Sequence, residues 1–344
     1  MIKIKLSIAG SPKDFSFEEF LGSQDIAKEV KFFVNTSENI DFDFWFVIDD
    51  LGNEYESARV SPEGIYFFTS EVVHDPCYYD SYKARAFLGQ FNKIFTSHDI
   101  YSEKAHFDLP YQGWMINANH GYSDFHATGR GIDYLLGIKH IEKTRPLSVI
   151  CSNKVVTPYH KLRLKFVRAL KEHFGERLDW FGNGISPISS KWDGVAPYKY
   201  HICIENKLQS NVITEKIFDS YLGLAFPIYS GAPNIAEFFS SDSFVAINIF
   251  DPYSAVNKIE EILVNNHYED SLPKLLASRD TVLYEINPFI RMARIAIADY
   301  SRVSMLNRQL VRINSLVSRS KTRRIVRAIG RKVEKIGSSL SHMI

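Results

Sequence analysis

The sequence predicts an α/β protein made of two units in tandem. Its first half alternates short apolar runs, typical of strands, with polar stretches, and its second half begins a new series of strand and helix candidates. A chain of 344 residues with 45% hydrophobic side chains is also long enough for two cores. We therefore expect one parallel sheet, covered by helices or loops, in each half.

The first unit is predicted over residues 1–146. Its candidate strands are residues 2–10, 30–34, 42–50, 64–71 and 93–98. The alternation breaks at Glu-Lys-Thr-Arg-Pro, residues 142–146, and we place the boundary there. The second unit is predicted over residues 147–305. Its candidate strands are residues 147–152, 178–182, 198–206 and 225–231, and its candidate helices are residues 160–178, a helix from Glu215, and residues 254–266.

The C-terminal segment, residues 306–344, is predicted to be a basic amphipathic helical tail. Residues 319–344 hold eight Lys or Arg and one Glu, which leaves 33 basic and 39 acidic residues in the body. The apolar residues that recur at helical spacing are Ile325, Ile329, Val333, Ile336 and Leu340. This pattern favours an anionic membrane surface as a partner. The alternatives are a solvated helix packed on the body or a nucleic-acid contact, and the acidic body argues against nucleic acid.

The expected location is the cytoplasm, with peripheral attachment to the inner face of the cell membrane. No apolar run reaches the roughly 18 residues of a membrane span. The N-terminus reads as a strand rather than a signal peptide because a polar segment follows it at once. Cys77, Cys151 and Cys203 are odd in number and widely spaced, so we expect buried thiols instead of disulfides or a zinc site.

Lys216 stands where a lysine opposes the helix dipole. Thr214 is a candidate N-cap, and apolar residues at helical spacing follow it, so the helix is expected to begin at Glu215. A cation in the first turn faces the positive end of the helix, at a cost of roughly 0.3–1 kcal/mol. An anion bound between the lysine and the free N–H groups would explain it. The alternative is a side chain that snorkels into water.

The other candidates for a ligand-binding site are polar residues at the ends of apolar strands, because open α/β sheets bind ligands beyond the carboxyl ends of their strands. Glu71 ends one strand, and Glu205 with Asn206 ends another. The segment Gly-Ala-Pro-Asn, residues 231–234, follows a third. At each of these places, the alternative is a polar residue in an ordinary loop with no role in binding.

Residues 198–235, YKYHICIENKLQSNVITEKIFDSYLGLAFPIYSGAPNI, resemble the donor-binding signature of the α1,3/4-fucosyltransferases, glycosyltransferase family 10, in its bacterial type. A weaker resemblance covers YFFTSE and FTSHDI in the first half. The resemblance implies the GT-B architecture, in which two Rossmann-like domains face each other across a cleft. It also implies inverting transfer of L-fucose from GDP-β-L-fucose to a sugar hydroxyl, with α1,3 or α1,4 linkage.

The resemblance assigns donor-binding roles to four residues. Lys216 matches the lysine that neutralises the diphosphate, and Arg163 matches the second diphosphate-binding cation. Glu215 matches the carboxylate that accepts hydrogen bonds from the ribose hydroxyls, and Asn206 matches a further donor-binding side chain. The cations that compete with Arg163 on the same predicted helix are Lys161, Lys165 and Arg168. Glu205 and Thr214, which flank the signature's polar positions, are secondary candidates.

Glu71 matches the family's general base, which takes a proton from the acceptor hydroxyl on the face opposite the leaving group. His98 and Asp99 also follow an apolar run and are the reserve candidates. A glutamate in an ordinary loop is the alternative reading of Glu71.

Two departures from the family pattern bring the donor sugar into question. Val212 stands where many members have Tyr, and Ser230 replaces an aromatic residue. A different GDP-deoxysugar donor is therefore an alternative, as is a non-catalytic protein that binds nucleotide or glycan. The expected acceptor is an oligosaccharide or a lipid-linked glycan, in surface polysaccharide or lipopolysaccharide synthesis.

No cofactor or metal is expected to be required. Asp41-Phe42-Asp43 has the Asp-x-Asp pattern of metal-dependent glycosyltransferases, but the pattern is short and alternates with aromatic residues as in a strand edge. Two protein cations would already neutralise the diphosphate, so Mg²⁺ is not needed for that purpose.

Overall fold

The computed structural model describes residues 1–9, 18–70, 81–100, 102–116 and 130–316. Glu71, Cys77 and the basic tail from residue 317 lie outside these ranges. In the described part, both halves contain the parallel sheets that the alternating apolar runs predicted. No helix there is both long and apolar enough to cross a membrane.

The first half contributes seven strands and four helices to the described structure. The strands are β1 (Ile2–Ile8), β2 (Val30–Val34), β3 (Phe44–Ile48), β4 (Tyr55–Val60), β5 (Ile65–Phe68), β6 (Lys93–Thr96) and β7 (Ala105–Phe107). The helices are α1 (Glu18–Leu21), α2 (Ile26–Glu29), α3 (Tyr82–Leu88) and α4 (Ile132–Gly137). Six of the strands form a parallel sheet in the order β2-β1-β3-β5-β6-β7. All five candidate strands of this half are confirmed.

The second half contributes six strands and six helices to the described structure. The strands are β8 (Arg145–Ile150), β9 (Leu178–Phe181), β10 (Tyr198–Ile204), β11 (Phe226–Ser230), β12 (Val245–Ala246) and β13 (Gln309–Asn314). The helices are α5 (Pro158–Phe174), α6 (Lys191–Val195), α7 (Glu215–Leu222), α8 (Pro252–Val264), α9 (His267–Thr281) and α10 (Pro288–Val303). Five strands form a parallel sheet in the order β12-β11-β10-β8-β9. The strands and helices predicted for this half are confirmed.

The first sheet is held by aromatic side chains on strands buried on both faces. All five residues of β3 are buried, as expected for a parallel strand covered on both sides. On one face, the rings of Phe46 and Phe68 lie 5.0 Å apart, and Phe68 stacks on Phe95 at the same distance. This face belongs to one continuous cluster of buried apolar residues that extends to Leu147 in the second sheet.

The end of the described chain returns to the first half. Helix α10 packs against β1 and α2. The Arg291 guanidinium group on α10 contacts Asp108 at 2.6 Å and stacks over the ring of Tyr111. Strand β13 pairs antiparallel with β4. The segment predicted as a helical tail from residue 306 therefore begins with a strand, because Ile313 is buried with the apolar residues beside β4. The helical prediction for residues 317–344 falls outside the described ranges.

The carboxyl edges of the two sheets meet. Ser97 directly follows β6, and Gln209 lies between β10 and α7. The Gln209 side-chain amide donates to the Ser97 carbonyl oxygen at 2.8 Å. A loop that follows a strand of the first sheet therefore contacts a loop that follows a strand of the second sheet.

Lys143, in the segment between α4 and β8, joins the C-terminal ends of two helices. Its ammonium group donates to the carbonyl oxygens of Ala196, at the end of α6, and Gly223, at the end of α7, each at 2.7 Å. Burial lowers the pKa of Lys143 to about 7. The two carbonyl oxygens favour the charged form, because a cation at a helix C-terminus complements the dipole. One side chain thus satisfies carbonyl groups of both helices.

We expect Lys143→Met to lower the free energy of unfolding by about 2 kcal/mol, because it leaves two helix-terminal carbonyl groups without their donor. Urea unfolding followed by circular dichroism measures the change. Lys139→Met is the matched control, since Lys139 is exposed and donates only to Leu136 nearby. Equal midpoints for the two variants would contradict the role given to Lys143.

Candidate functional site

A cavity of about 420 Å³ opens at the carboxyl edge of the second sheet. Loops after β8, β9 and β10 and residues of α5, α6 and α7 line it. Its charged and amide side chains are Lys154, Arg163, Asn183, Lys191, Asn206, Glu215, Lys216 and Asp219. The structure therefore brings together the four residues predicted to bind the donor, Arg163, Asn206, Glu215 and Lys216. Their roles in binding stay predictions.

Lys216 lies in the first turn of α7, and its ammonium group is paired within the protein. Its ammonium group donates to Glu215 Oε1 at 3.0 Å and to Thr214 Oγ1 at 2.9 Å, and Glu205 Oε2 lies 3.4 Å away. The side chain is 19% exposed. Burial would lower the pKa of Lys216, but the carboxylates of Glu215 and Glu205 outweigh burial and raise it above its ordinary value. The lysine is therefore a fixed cation at the cavity wall.

Glu205 holds the residue before α7 in place through hydrogen bonds. This fully buried carboxylate accepts hydrogen bonds from the Thr214 backbone N–H at 2.8 Å and from the Thr214 hydroxyl at 2.6 Å. The Thr214 hydroxyl donates to Glu205 and accepts from Lys216, and the Thr214 side chain makes no capping bond to the first turn of α7. Burial raises the pKa of Glu205, and Lys216 partly offsets that effect. Glu205 and Thr214 thus support Lys216 from behind the cavity wall.

Glu215 remains ionised although it is buried. Burial alone would raise its pKa, but the ammonium groups of Lys216 and Lys191 outweigh burial and lower the pKa to about 2. Its carboxylate therefore accepts hydrogen bonds at neutral pH and cannot donate one. Such a group suits the hydroxyl groups of a sugar.

Arg163 approaches the cavity from α5. This helix begins after Thr157, whose hydroxyl accepts a hydrogen bond from the His160 backbone N–H at 3.1 Å. Arg163 is 8% exposed, and its Nη1 donates to Asn206 Oδ1. Its Nε is buried and has no hydrogen-bond partner among the described residues. The competing cations of the same helix, Lys161, Lys165 and Arg168, are exposed. Only Arg163 of these four lines the cavity.

Lys191 and Asp219 also line the cavity, and the sequence analysis missed both. Lys191 opens α6, and its ammonium group lies 3.1 Å from Asp219 Oδ2 and 3.9 Å from Glu215 Oε1. Burial raises the pKa of Asp219 to about 6, although Lys191 opposes the shift. Residues 217–222 of α7 are all buried, so the Asp219 carboxylate among them requires a partner inside the protein.

A neutral histidine and two thiols complete the inner wall. His201 Nδ1 lies 2.8 Å from Ser148 Oγ, and that hydroxyl donates to the Gly194 carbonyl oxygen. Burial lowers the pKa of His201 to about 3, so the ring is neutral at physiological pH. Cys151 and Cys203 are free and buried, as predicted for them, and both line the cavity.

The Gly-Ala-Pro-Asn segment supports the loop before α7. A side chain at Gly231 would place its Cβ 2.5 Å from Glu205 Cγ and closer still to the Tyr229 hydroxyl, so only glycine fits there. Asn234 exchanges hydrogen bonds with Asn211, which has a left-handed backbone. This segment therefore shapes the loop. Val212 and Ser230, the two departures from the family pattern, are both buried.

The predicted base, Glu71, lies outside the described residues, but its neighbour Ser70 is visible. The Ser70 backbone N–H donates to Asp49 Oδ1 at 2.8 Å at the carboxyl edge of the first sheet. The reserve candidates follow β6 at the same edge, with His98 buried and Asp99 exposed. The assignment of the general base to Glu71, His98 or Asp99 therefore stays a prediction.

The carboxylates considered for metal binding have other partners. Asp41 pairs with Arg59 at 2.8 Å, and Asp43 pairs with Arg308. Within the described ranges, no three His, Cys, Asp or Glu side chains are grouped so that they could hold a metal ion.

Sequence comparison shows where this chain is similar to known proteins. Residues 141–270 match the family described as glycosyltransferase family 10 (fucosyltransferase), C-terminal part. The α-(1,3)-fucosyltransferase FucT of Helicobacter pylori is 29% identical over 130 residues, which cover 30% of this chain and 27% of that protein. A putative fucosyltransferase-like protein of Arabidopsis thaliana is 34% identical over 77 residues, 22% of this chain and 15% of that protein. The matches thus span about a quarter or less of these relatives.

Solved structures give a likeness over a longer stretch. A crystal structure of an α1,3-fucosyltransferase with GDP is 18% identical, with a TM-score of 0.46 over 82% of this chain and 90% of that chain. The same coverage holds for an α1,3-fucosyltransferase with GDP-fucose, at a TM-score of 0.45. The matched residues 141–270 contain the whole charged cavity wall from Lys154 to Asp219. Over residues 141–270, the chain is therefore similar to the C-terminal part of glycosyltransferase family 10.

Proposed function

We propose that the protein is an inverting glycosyltransferase that moves L-fucose from GDP-β-L-fucose to a hydroxyl group of an acceptor glycan, in α1,3 or α1,4 linkage. One observation carries the proposal. Arg163 and Lys216 reach the same cavity from two different helices, at the carboxyl edge of a parallel sheet. A pair of fixed cations in that place suits a nucleoside diphosphate.

The chemistry of the leaving group explains why two cations are needed. Negative charge grows on the diphosphate as the glycosidic bond breaks, and cations already in position stabilise it without reorganisation. A guanidinium group grips two phosphate oxygens at once, while an ammonium group acts as a point charge. Arg163 and Lys216 would supply one of each, so no metal is required for charge neutralisation. Glu215 would accept hydrogen bonds from the ribose hydroxyls, and Asn206 would contact the donor beside Arg163.

The two halves of the chain would act as the two Rossmann-like domains of the GT-B architecture. The contact between Ser97 and Gln209 supports this arrangement, since it joins the carboxyl edges of the two sheets. The acceptor would then enter from the first sheet, where Glu71 would take its proton as the sugar carbon is attacked from the side opposite the diphosphate. His98 and Asp99 are the alternatives for that base.

The acceptor would be an oligosaccharide or a lipid-linked glycan used in surface polysaccharide or lipopolysaccharide synthesis. The basic segment of residues 319–344 supports this choice, because it would hold the protein on the anionic inner face of the cell membrane. The enzyme would then be cytoplasmic and peripherally attached. A different GDP-deoxysugar donor and a non-catalytic binding protein are the competing proposals, and the experiments below separate them.

We expect Lys216→Ala to weaken GDP binding about 100-fold, or roughly 3 kcal/mol, because it removes a phosphate-binding cation and takes the neighbouring lysine away from the buried Glu205 carboxylate. Calorimetric titration with GDP, GDP-fucose and GDP-mannose, without added metal, measures this. Arg163→Ala should weaken binding by about tenfold or more. Arg168→Ala, an exposed arginine on the same helix, is the matched control and should bind like the wild type. Failure of the wild-type protein to bind any GDP nucleotide would refute the proposed function.

We expect Glu71→Gln to reduce turnover about 100-fold or more while GDP-fucose affinity changes by less than about twofold, because a general base acts in the chemical step. Release of GDP in the presence of candidate acceptors measures turnover. His98→Gln and Asp99→Asn serve as comparisons. If one of them abolishes turnover and Glu71→Gln does not, the base is misassigned. GDP affinity with no turnover in any acceptor screen would favour the non-catalytic alternative.

We expect the full-length protein to bind vesicles that contain phosphatidylserine and to lose most of that binding when the basic tail is neutralised, since each Lys or Arg near an anionic surface contributes about 1 kcal/mol. The variant carries Arg323→Gln, Arg324→Gln, Arg327→Gln, Arg331→Gln and Lys332→Gln. Vesicle sedimentation at low and high salt measures the binding. Unchanged binding in the variant would place the membrane contact elsewhere or exclude it.

A further inference from the structure

Lys191 is a third cation at the cavity, and it shares a carboxylate oxygen with Lys216. Glu215 Oε1 lies 3.0 Å from the Lys216 ammonium group and 3.9 Å from the Lys191 ammonium group. The Lys191 side chain is 28% exposed and lines the cavity. Two lysines from two different helices thus lie within 4 Å of the same Glu215 oxygen.

Lys191 is itself fixed by a buried partner. Its ammonium group donates to Asp219 Oδ2 at 3.1 Å, and the Asp219 side chain is 3% exposed. The other oxygen of this carboxylate accepts a hydrogen bond from the Met115 backbone N–H at 2.7 Å. Met115 belongs to the segment that follows β7, so Asp219 is held by residues of both halves of the chain. Lys191 therefore has little freedom to leave its place beside Glu215.

A bound diphosphate would place different demands on the two lysines. Lys216 lies between Glu205 and Glu215 and would be shared with phosphate oxygens once an anion arrives. Its hold on the Glu215 carboxylate would then weaken. Lys191 is paired with Asp219 and remains available to keep the carboxylate in place. In this arrangement Lys216 would bind phosphate, and Lys191 would orient the Glu215 carboxylate.

We propose that Lys191, fixed by Asp219, is a positioning residue that holds Glu215 as the hydrogen-bond acceptor for the ribose hydroxyls of a nucleoside diphosphate. This inference rests on the proposed donor site. The proposal also predicts a specificity. A carboxylate held in place by two ammonium groups binds the two hydroxyls of a ribose more strongly than the single hydroxyl of a 2′-deoxyribose. The cavity therefore selects ribonucleotides through Lys191, a residue that touches Glu215 and need not touch the nucleotide base.

Calorimetric titration with GDP and 2′-deoxy-GDP tests the proposal in the full-length protein. The wild type is expected to bind GDP about tenfold more tightly than 2′-deoxy-GDP. In Lys191→Met the preference falls to about twofold or less, while the affinity for 2′-deoxy-GDP changes by less than about threefold. Glu215→Gln is expected to reduce the preference similarly, whereas Lys216→Ala weakens binding of both nucleotides alike. Lys161→Met, an exposed lysine on α5, is the matched control and keeps the wild-type preference.

Lys191→Met leaves Asp219 buried without its partner and could therefore impair folding. A second variant separates that effect from the proposed role of Lys191. The double variant Lys191→Met/Asp219→Asn removes both charges and keeps an amide oxygen for the Met115 N–H. Lys191→Arg retains the charge and should restore much of the preference. The inference is overturned if the wild type shows no preference, if Lys191→Met and the double variant keep it, or if they lose affinity for both nucleotides equally. A wild type that binds neither nucleotide refutes the donor site itself.

Discussion

The structure depends on a chain of buried charges of alternating sign around the first turn of α7. Glu205, Lys216, Glu215, Lys191 and Asp219 follow one another in space, and each carboxylate lies within 4 Å of a lysine ammonium group. Burying the three carboxylates is expensive, and the cost is offset only when each has a partner of opposite sign. This requirement fixes the relative positions of β10, α6 and α7, which carry these residues.

The same requirement prepares the cavity for an anion. The lysines are held by carboxylates before any ligand arrives, so little side-chain entropy remains to be lost on binding. The Arg163 guanidinium group on α5 is held in a similar way by Asn206. At their far ends, α6 and α7 are joined by Lys143, which donates to a carbonyl oxygen of each. Both helices are therefore fixed at the end that faces the cavity and at the end that faces away.

The two halves of the chain contact each other at and near the charged cavity. The Met115 N–H reaches Asp219 on α7, and Gln209 reaches Ser97 at the edge of the first sheet. Helix α10 returns to the first half, where Arg291 contacts Asp108. A change in the relative position of the halves would therefore disturb the charged chain directly. In the proposed reaction, this arrangement would couple the placement of the acceptor to the geometry of the donor site.

The sequence alone determined the strands and part of the site. Parallel strands buried on both faces read as nearly continuous apolar runs, so their existence and their positions along the chain could be predicted. Four strands were missed. β4 and β13 pair with each other outside the two parallel sheets and expose much of their length, and β7 and β12 are edge strands of three and two residues. Lys216 was predictable because it opposes the dipole of its own helix, which is a local property.

Only the tertiary structure selected the remaining site residues. Lys161, Lys165 and Arg168 competed with Arg163 in the sequence, and packing against the sheet buried Arg163 while it left the other three exposed. Lys191 and Asp219 are 28 positions apart, and Met115 is 104 positions from Asp219. Local patterns carry no information about pairs so distant along the chain. Their contacts arise because the fold brings the ends of separate elements to one edge of the sheet, where a buried charge must find its partner.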